Sequence, residues 1–350
     1  MDKPVKQPTF DLLYEKTSLT ESLKPHLIEV TYTDYLSDQS DEITLTFEDR
    51  EEKWIHRWFP TQGDKLHLKL GYVGEPLVDM GKFEIDEIEY SYPPSVVTIR
   101  ALSTGISKAN RTLKPKAYEN TTLADIVRQV AKNLKLKVTG EVRHIPIKRV
   151  TQYQERDVEF LTRLAHEYHH SFKIVNDTLV FMRKDKLGER DAIVTLNPEQ
   201  VISIRLRDRI KDAVKEVKAV GYDAQGKKTV SKTKPSKPRR PSKKQAAKAN
   251  ADTLKVVSRG ETQEQMDARA DAALDEQTED LQAGEIQLLG NPKLVAGNTL
   301  MLTKLGMFSG KYLIKSARHS LSRTSGFTTQ IDIKMVEFTD EEQGANNANA

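Results

Sequence analysis

Cysteine is absent from the 350 residues. With it go disulfides, thiolate zinc sites and thiol nucleophiles, so any metal would have to be held by histidine and carboxylates. Long hydrophobic runs are missing too: no stretch approaches the ~18 apolar residues of a membrane span. The opening MDKPVKQPTF has no apolar segment behind its charges, and neither a signal peptide nor a transit peptide is expected there. No Gly-x-Ser-x-Gly elbow, phosphate-binding loop or dinucleotide fingerprint occurs, which leaves no convincing catalytic residue and no cofactor to assign. One segment lacks acids altogether. Between Lys227 and Lys248 stand ten cations (Lys227, Lys228, Lys232, Lys234, Lys237, Arg239, Arg240, Lys243, Lys244 and Lys248) and no Asp or Glu. Because the whole chain carries a formal net charge of only +4, the remainder is a mildly acidic body bearing a basic strap. The strap is rich in Lys, Pro and Ser and is expected as a disordered insertion over 225–252. Its cations are candidates for contact with DNA or an acidic partner through counterion release. It has no aromatic residue to stack on bases, so such binding would be blind to sequence.

What is present is a mixed pattern dominated by strands. EITLTF places Ile43, Leu45 and Phe47 on one face, and KLHLKLGY does the same with Leu66, Leu68 and Leu70. KFEIDEIEY and SVVTIRAL follow, separated by the turn-forming SYPPS. Two helices interrupt this pattern. One follows NTT as a capping signal and carries Leu123, Ile126, Val127, Val130, Ala131 and Leu134 on a single stripe. The other starts at Asp157, read as its N-cap, and runs through VEFLTRLAHEY to the hairpin SFKIVNDTLVFM. Strands resume in VISIRLRD and AVKEVKAVGYD. Beyond the strap, TQEQ opens a further helix with a capping box from Thr262 to Gln265. The expected organisation is a β-barrel domain over 1–115, a middle α+β domain over 116–198, and a second β-barrel domain over 199–338. The last of these contains the basic insertion and a helix at about 262–281. Residues 339–350 form a flexible tail. The fold class is mainly β with an α+β insertion, two similar antiparallel β-barrels flanking the middle domain. An internal repeat supports the duplication: Gly63, Leu66 and Leu68 correspond to Gly297, Leu300 and Leu302, and Gly81-Lys82-Phe83-x-Ile85 to Gly310-Lys311-Tyr312-x-Ile314.

HEYHH, residues 166–170, satisfies His-Glu-x-x-His, the signature of many zinc peptidases. Such a site needs both histidines on one helix face, a glutamate to activate water and a third ligand supplied later in the fold. Leu161, Leu164, Ala165 and Tyr168 define the buried side of this helix, which puts His166 and His170 on the solvent side. Strand-like alternation begins almost at once, at Phe172, and the one later histidine, His319, lies in a strand and turn region. His166, Glu167 and His170 therefore read as a decoy, with at most a weak metal clip by His166, His169 and His170. A zinc metallopeptidase and a sequence-nonspecific nucleic-acid-binding protein are the alternative functions.

The order of features resembles the late control D family of tailed phages, the baseplate hub proteins. The stretches that carry the likeness are EITLTFED, GDKLHLKLGY, MGKFEIDEIEYSYPPSVVTIRA, TLADIVRQVAKNLKL, QYQERDVEFLTRLAHEY with DTLVFM, TQEQMDARADAAL, and GNPKLVAGNTLMLTKLG onward, most of residues 35–335. The resemblance implies a structural protein without enzymatic activity. It also implies a homotrimeric ring of pseudo-six-fold symmetry in the virion tail, assembled in the bacterial host cytoplasm. That ring would join the tail tube protein to a tail spike protein beside other baseplate proteins, and give a channel for DNA ejection. It places His169 where the family has a helix-terminating glycine.

Overall fold

The computed structural model describes residues 6–37, 39–103, 113–209, 214–223, 227–236, 253–259, 262–278 and 281–339. The first lobe is built from β1 (Pro8–Tyr14), β2 (Thr17–Ser18), a one-turn helix α1 (Thr20–Leu23), β3 (Leu27–Tyr35), β4 (Glu42–Glu48), β5 (Lys65–Tyr72), β6 (Val78–Ser91) and β7 (Val96–Leu102). The alternation read in the sequence is what buries it. Ile43, Leu45, Phe47, Leu66, Leu68 and Leu70 are all at most 3% exposed, and Trp54 stacks on Phe47 with ring centroids 4.3 Å apart.

The middle unit comprises β8 (Lys114–Thr122), α2 (Leu123–Asn133), β9 (Lys137–Thr139), β10 (Pro146–Glu155), α3 (Asp157–Glu167), β11 (His170–Val175), β12 (Thr178–Arg183) and α4 (Lys184–Gly188). Thr122 caps α2 by accepting the Asp125 N–H, as its position predicts. Asp157 does not cap α3. It is fully buried and is held by Gln152 Nε2 at 3.0 Å and by Lys114. Arg156 takes the cap position instead, its N–H bonded to Glu159 Oε2 at 2.9 Å.

The second lobe consists of β13 (Ala192–Leu196), β14 (Ser203–Asp208), β18 (Gln282–Leu289), β19 (Thr299–Leu302), β20 (Gly310–Ser322) and β21 (Gly326–Phe338). Between β14 and β18 the chain makes a separate three-stranded sheet from β15 (Glu216–Asp223), β16 (Lys228–Pro235) and β17 (Thr253–Arg259), covered by α5 (Gln263–Thr278). Two expectations change here. Lys228–Pro235 is not disordered, because it pairs with β15 along its whole length. And α5, expected as part of the second β-barrel domain, packs on this small sheet and the middle unit: Met266 and Ala270 join Val217 and Ala219, while Ala268 enters the cluster of Phe160 and Leu164.

The internal repeat is a structural duplication that extends to hydrogen bonds. Gly63 and Gly297 both have positive φ (90° and 86°), and each donates its N–H to an isoleucine carbonyl, Ile85 and Ile314. Leu66 faces Phe83 and Leu68 faces Gly81, just as Leu300 faces Tyr312 and Leu302 faces Gly310. A bulge follows Ile85 in β6 and Ile314 in β20 at the corresponding place. The order β3-β4-β7-β6-β5 in the first lobe repeats as β14-β18-β21-β20-β19 in the second.

The two lobes are joined through their strands. β3 pairs antiparallel with the second half of β20, from Ser316 opposite Tyr35 to Ser322 opposite Glu29. Both lobes thereby belong to one 13-stranded sheet among the described residues. The long β20 makes this possible: its first half serves β19 in its own lobe and its second half serves the neighbouring lobe.

Candidate assembly interface

Because opposed residues in antiparallel strands share a face, the joined sheet has one continuous outer surface. A single row across it runs Arg205, Glu285, Asp332, Ser316, Tyr35, passing from the second lobe into the first. The next row contains Ser203, Gln287, Gln330, Arg318 and Thr33. Its charges are interspersed and largely compensated: Ser316 Oγ donates to Asp332 Oδ2 at 2.6 Å, Gln330 Nε2 to Glu285 Oε1 at 2.6 Å, and Arg100 Nη2 to Glu42 Oε2 at 2.7 Å. At one end stand Arg205 and Arg207 on the last strand of the sheet and Arg209 just past its end, all exposed. The Arg-x-Arg-x-Arg alternation in IRLRDR was the signal for this basic edge, which reading the sequence for its strap alone missed.

The junction of the lobes is fixed by buried ionic groups. Lys173, from β11 of the middle unit, reaches Asp34 of β3 and lies 3.3 Å from Asp41 Oδ2. Asp34 Oδ2 also accepts the Ala296 N–H of the second lobe at 2.6 Å, and Asp41 Oδ1 accepts the Tyr35 N–H at 3.0 Å. One lysine and two carboxylates therefore tie three parts of the chain together. Burial pushes the Asp41 carboxyl up to about 7, reinforced by the adjacent Asp34 charge and opposed by Lys173. His319, at 0% exposure, stacks on Tyr32 across the junction with centroids 5.8 Å apart. Its Nδ1 bonds Thr329 Oγ1 at 2.9 Å and its Nε2 bonds the Leu294 carbonyl at 3.1 Å. Burial lowers its pKa to about 4.

HEYHH is dispersed by the fold. α3 stops at Glu167, so His166 and His170 do not share a helix face. His166 is exposed, 3.9 Å from Glu276. Glu167 is held by Arg163 at 3.2 Å and Arg269 at 3.0 Å. His169 has φ of 59°, the left-handed position at which the helix terminates, as the likeness to the hub family implies. His170 does not face solvent as expected from the helix; it is 1% exposed because it opens β11. Its Nε2 accepts the Arg143 N–H at 3.1 Å, which makes Nδ1 the donor to the Tyr168 carbonyl at 2.7 Å and leaves no lone pair for a metal. Burial lowers its pKa to about 4. Among the described residues no group of three His, Asp or Glu is placed to hold a metal ion.

The strap divides. Lys232 and Lys234 point from β16 to α5, where Lys234 Nζ lies 3.0 Å from Asp267 and also binds Asp271, and Lys232 Nζ lies 3.5 Å from Asp267. Arg143 joins the same two carboxylates. These two lysines hold a helix and are spoken for in the fold; Lys227 and Lys228 are exposed. Lys237, Arg239, Arg240, Lys243, Lys244 and Lys248 lie outside the described residues. No helix among the described residues is long and apolar enough to cross a membrane.

Comparison with known proteins agrees with this architecture. A family model described as phage tail baseplate hub (GPD) matches residues 84–325. The probable baseplate hub protein of Escherichia phage 186 is 30% identical over 178 residues, 50% of this chain and 45% of that protein, so the match spans about half the length of the curated relative. Among solved structures, the 43 kDa tail protein of prophage MuSo2 from Shewanella oneidensis superposes with a TM-score of 0.66 at 17% identity, covering 93% of this chain and 98% of that one. A tail protein from Neisseria meningitidis MC58 gives 0.68 at 11% identity, covering 94% and 96%. At these identities the structural likeness concerns the fold.

Proposed function

Since the chain belongs to the phage tail baseplate hub family, we propose that it is a non-catalytic structural component of the virion tail that works as a homotrimeric ring. Three chains, each with two similar β lobes, present six like units around an axis. Such an object mates with a six-fold tail tube on one side and a three-fold spike on the other, and its lumen passes DNA. The observation that carries this reading is the duplication itself: two lobes with matching strand order, matching register and a shared sheet. A closed ring requires head-to-tail contacts between unlike faces of neighbouring chains, and a chain whose lobes already sit side by side in one sheet has that arrangement built in. The compensated outer face of the sheet suits a channel wall, because a passing polyanion meets serine, threonine, glutamine and paired charges in place of a field of one sign. Assembly would take place in the host cytoplasm with spike, tube and other baseplate proteins as partners. Of the strap's cations, the exposed Lys227 and Lys228 and the six from Lys237 to Lys248 are candidates for contact with DNA or an acidic partner.

Native mass spectrometry of the purified chain, alone and co-expressed with its spike, tests the ring. A trimer mass in either preparation is expected; a monomer in both overturns it. Removal of residues 237–250 tests the strap: loss of tail assembly or infectivity supports a contact there, and intact tails discard it.

A further inference from the structure

The duplicated lobes differ in the loop that closes one end of each core. In the second lobe, Gly290–Asn298 joins β18 to β19 and seats Leu294 in the core at 0% exposure. In the first lobe, Asp49–Asp64 joins β4 to β5 and seats Trp54 in that lobe's core at 6% exposure. Between this plug and the shared glycine the second lobe has only Val295 and Ala296, whereas the first has Ile55–Gln62. Closing the core does not require the added stretch, which holds Arg57, Trp58 and Phe59.

The added stretch borders a cavity of about 370 Å³, within the range of about 300–1,000 Å³ usual for small-molecule sites. Leu12, Leu45 and Ile85, all at most 2% exposed, form its inner wall, and Trp54, Trp58 and Phe59 line it as well. Two groups at this cavity lack a complement. The Trp54 indole Nε1 is buried with no hydrogen-bond partner among the described residues, although a buried indole N–H ordinarily has one. Arg57 lines the cavity and is exposed, its guanidinium 5.8 Å from the Trp58 ring centroid. The other cations of the loop are each matched by a carboxylate close in sequence: Arg50 by Glu48, Lys53 by Glu51 at 2.5 Å and His56 by Glu52 at 3.8 Å. Arg57 has no such carboxylate among the described residues.

We propose that this cavity binds an aliphatic carboxylic acid of medium chain length. The chain lies against the leucine, isoleucine and tryptophan walls, and its burial supplies the affinity. The carboxylate pairs with Arg57 and provides the acceptor for Trp54 Nε1 that the fold does not, which sets orientation and selects an acid. The site belongs to one lobe of one chain and does not depend on the ring.

The chain has two tryptophans, Trp54 and Trp58, and both line the cavity, so the intrinsic fluorescence of the full-length protein reads this site directly. Decanoate, decanol and decyltrimethylammonium are titrated below their micelle-forming concentrations, with acetate as the control for an anion without a chain. Expected is a saturable change in emission with decanoate, binding about tenfold weaker for decanol and weaker still for the cation, and no change with acetate. Arg57→Gln alters an exposed side chain and is expected to weaken decanoate about tenfold while leaving decanol unchanged. Trp54→Phe keeps a ring and removes the donor; decanoate binding, followed through Trp58 and by calorimetry, is expected to weaken while circular dichroism stays unaltered. No saturable response to decanoate overturns the site. Equal binding of the three amphiphiles, or decanoate binding indifferent to Arg57→Gln, overturns recognition of an acid. Unchanged affinity in Trp54→Phe overturns the part given to the indole.

Discussion

Lys173 and the histidines show how much of this molecule depends on single buried groups. With Lys173 replaced by methionine, Asp34 and Asp41 face each other without their cation, and a cost of about 3–5 kcal/mol at neutral pH is expected. The Asp41 pKa is raised in the fold, to about 7 from 3.8, so the native state binds the extra proton. Its contribution is present below the unfolded value and is lost as pH rises through 7. The Lys173→Met deficit should therefore shrink on acidification, which urea titrations at pH 7.5 and 5 would reveal. His319 and His170 act in the opposite sense. Both are lowered to about 4 from 6.5, so their contribution is complete above 6.5 and is lost as pH falls through 4, roughly 3 kcal/mol for each. Between pH 6.5 and 4 the two histidines outweigh the one carboxyl, and a falling denaturation midpoint is expected, flattened in His319→Gln. In the zinc-like segment, His166→Ala should change stability by less than about 0.5 kcal/mol, as befits an exposed side chain. His170→Ala should cost about 1–3 kcal/mol by leaving the Arg143 N–H and the Tyr168 carbonyl unsatisfied. Equal effects of the two would contradict the dispersal of HEYHH.

Among elements, the repeated hairpin shows where duplication has been free to drift. Gly81 and Gly310 both have left-handed backbone, φ 109° and 151°. A Cβ on Gly81 would meet nothing nearer than Asn176 Oδ1 at 3.4 Å, whereas on Gly310 it would lie 2.3 Å from the Glu337 carbonyl oxygen. Gly81→Ala is expected to cost about 1 kcal/mol, the usual conformational term, and Gly310→Ala distinctly more, since backbone must move. Thermal melts of the two variants check the order. The repeat was legible because glycine and alternating leucine mark strand ends and faces. The helix at 262–281 was legible as a helix from its capping box, but not in its destination: its narrow alanine stripe is equally compatible with any close-packed partner, and Lys232, Lys234 and Arg143 converge on Asp267 and Asp271 from segments far apart in sequence. Part of the strap is a strand for the same reason. Lys and Thr at alternate positions look like solvated loop until β15 and an acidic helix face supply partners.

For the molecule as a whole, one continuous sheet means that the lobes should not unfold independently. Leu321→Pro removes a ladder hydrogen bond within the β3–β20 junction, where the Arg323 N–H bonded to the Ile28 carbonyl puts Leu321 and Val30 in a hydrogen-bonded pair, and is expected to turn a single calorimetric transition into two. Two transitions already present in the unmodified chain would refute the coupling. In the proposed ring, the same junction would set how the lobes are presented to neighbouring chains.

The sequence by itself determined the strand alternation, the duplication and the absence of a complete metal or nucleophile motif, because each is written in local spacing: period two for a half-buried strand, glycine where φ must be positive, and a missing third ligand. It also carried the likeness to the baseplate hub family. Only the tertiary structure decided that the two lobes share a sheet, that His170 is buried while His166 is not, that Asp157 is held inside while Arg156 caps, and that Lys173 balances two carboxylates from elsewhere in the chain. These outcomes depend on contacts between segments tens to hundreds of residues apart. Burial and pairing at such distances are set by how elements pack, and no local pattern records them.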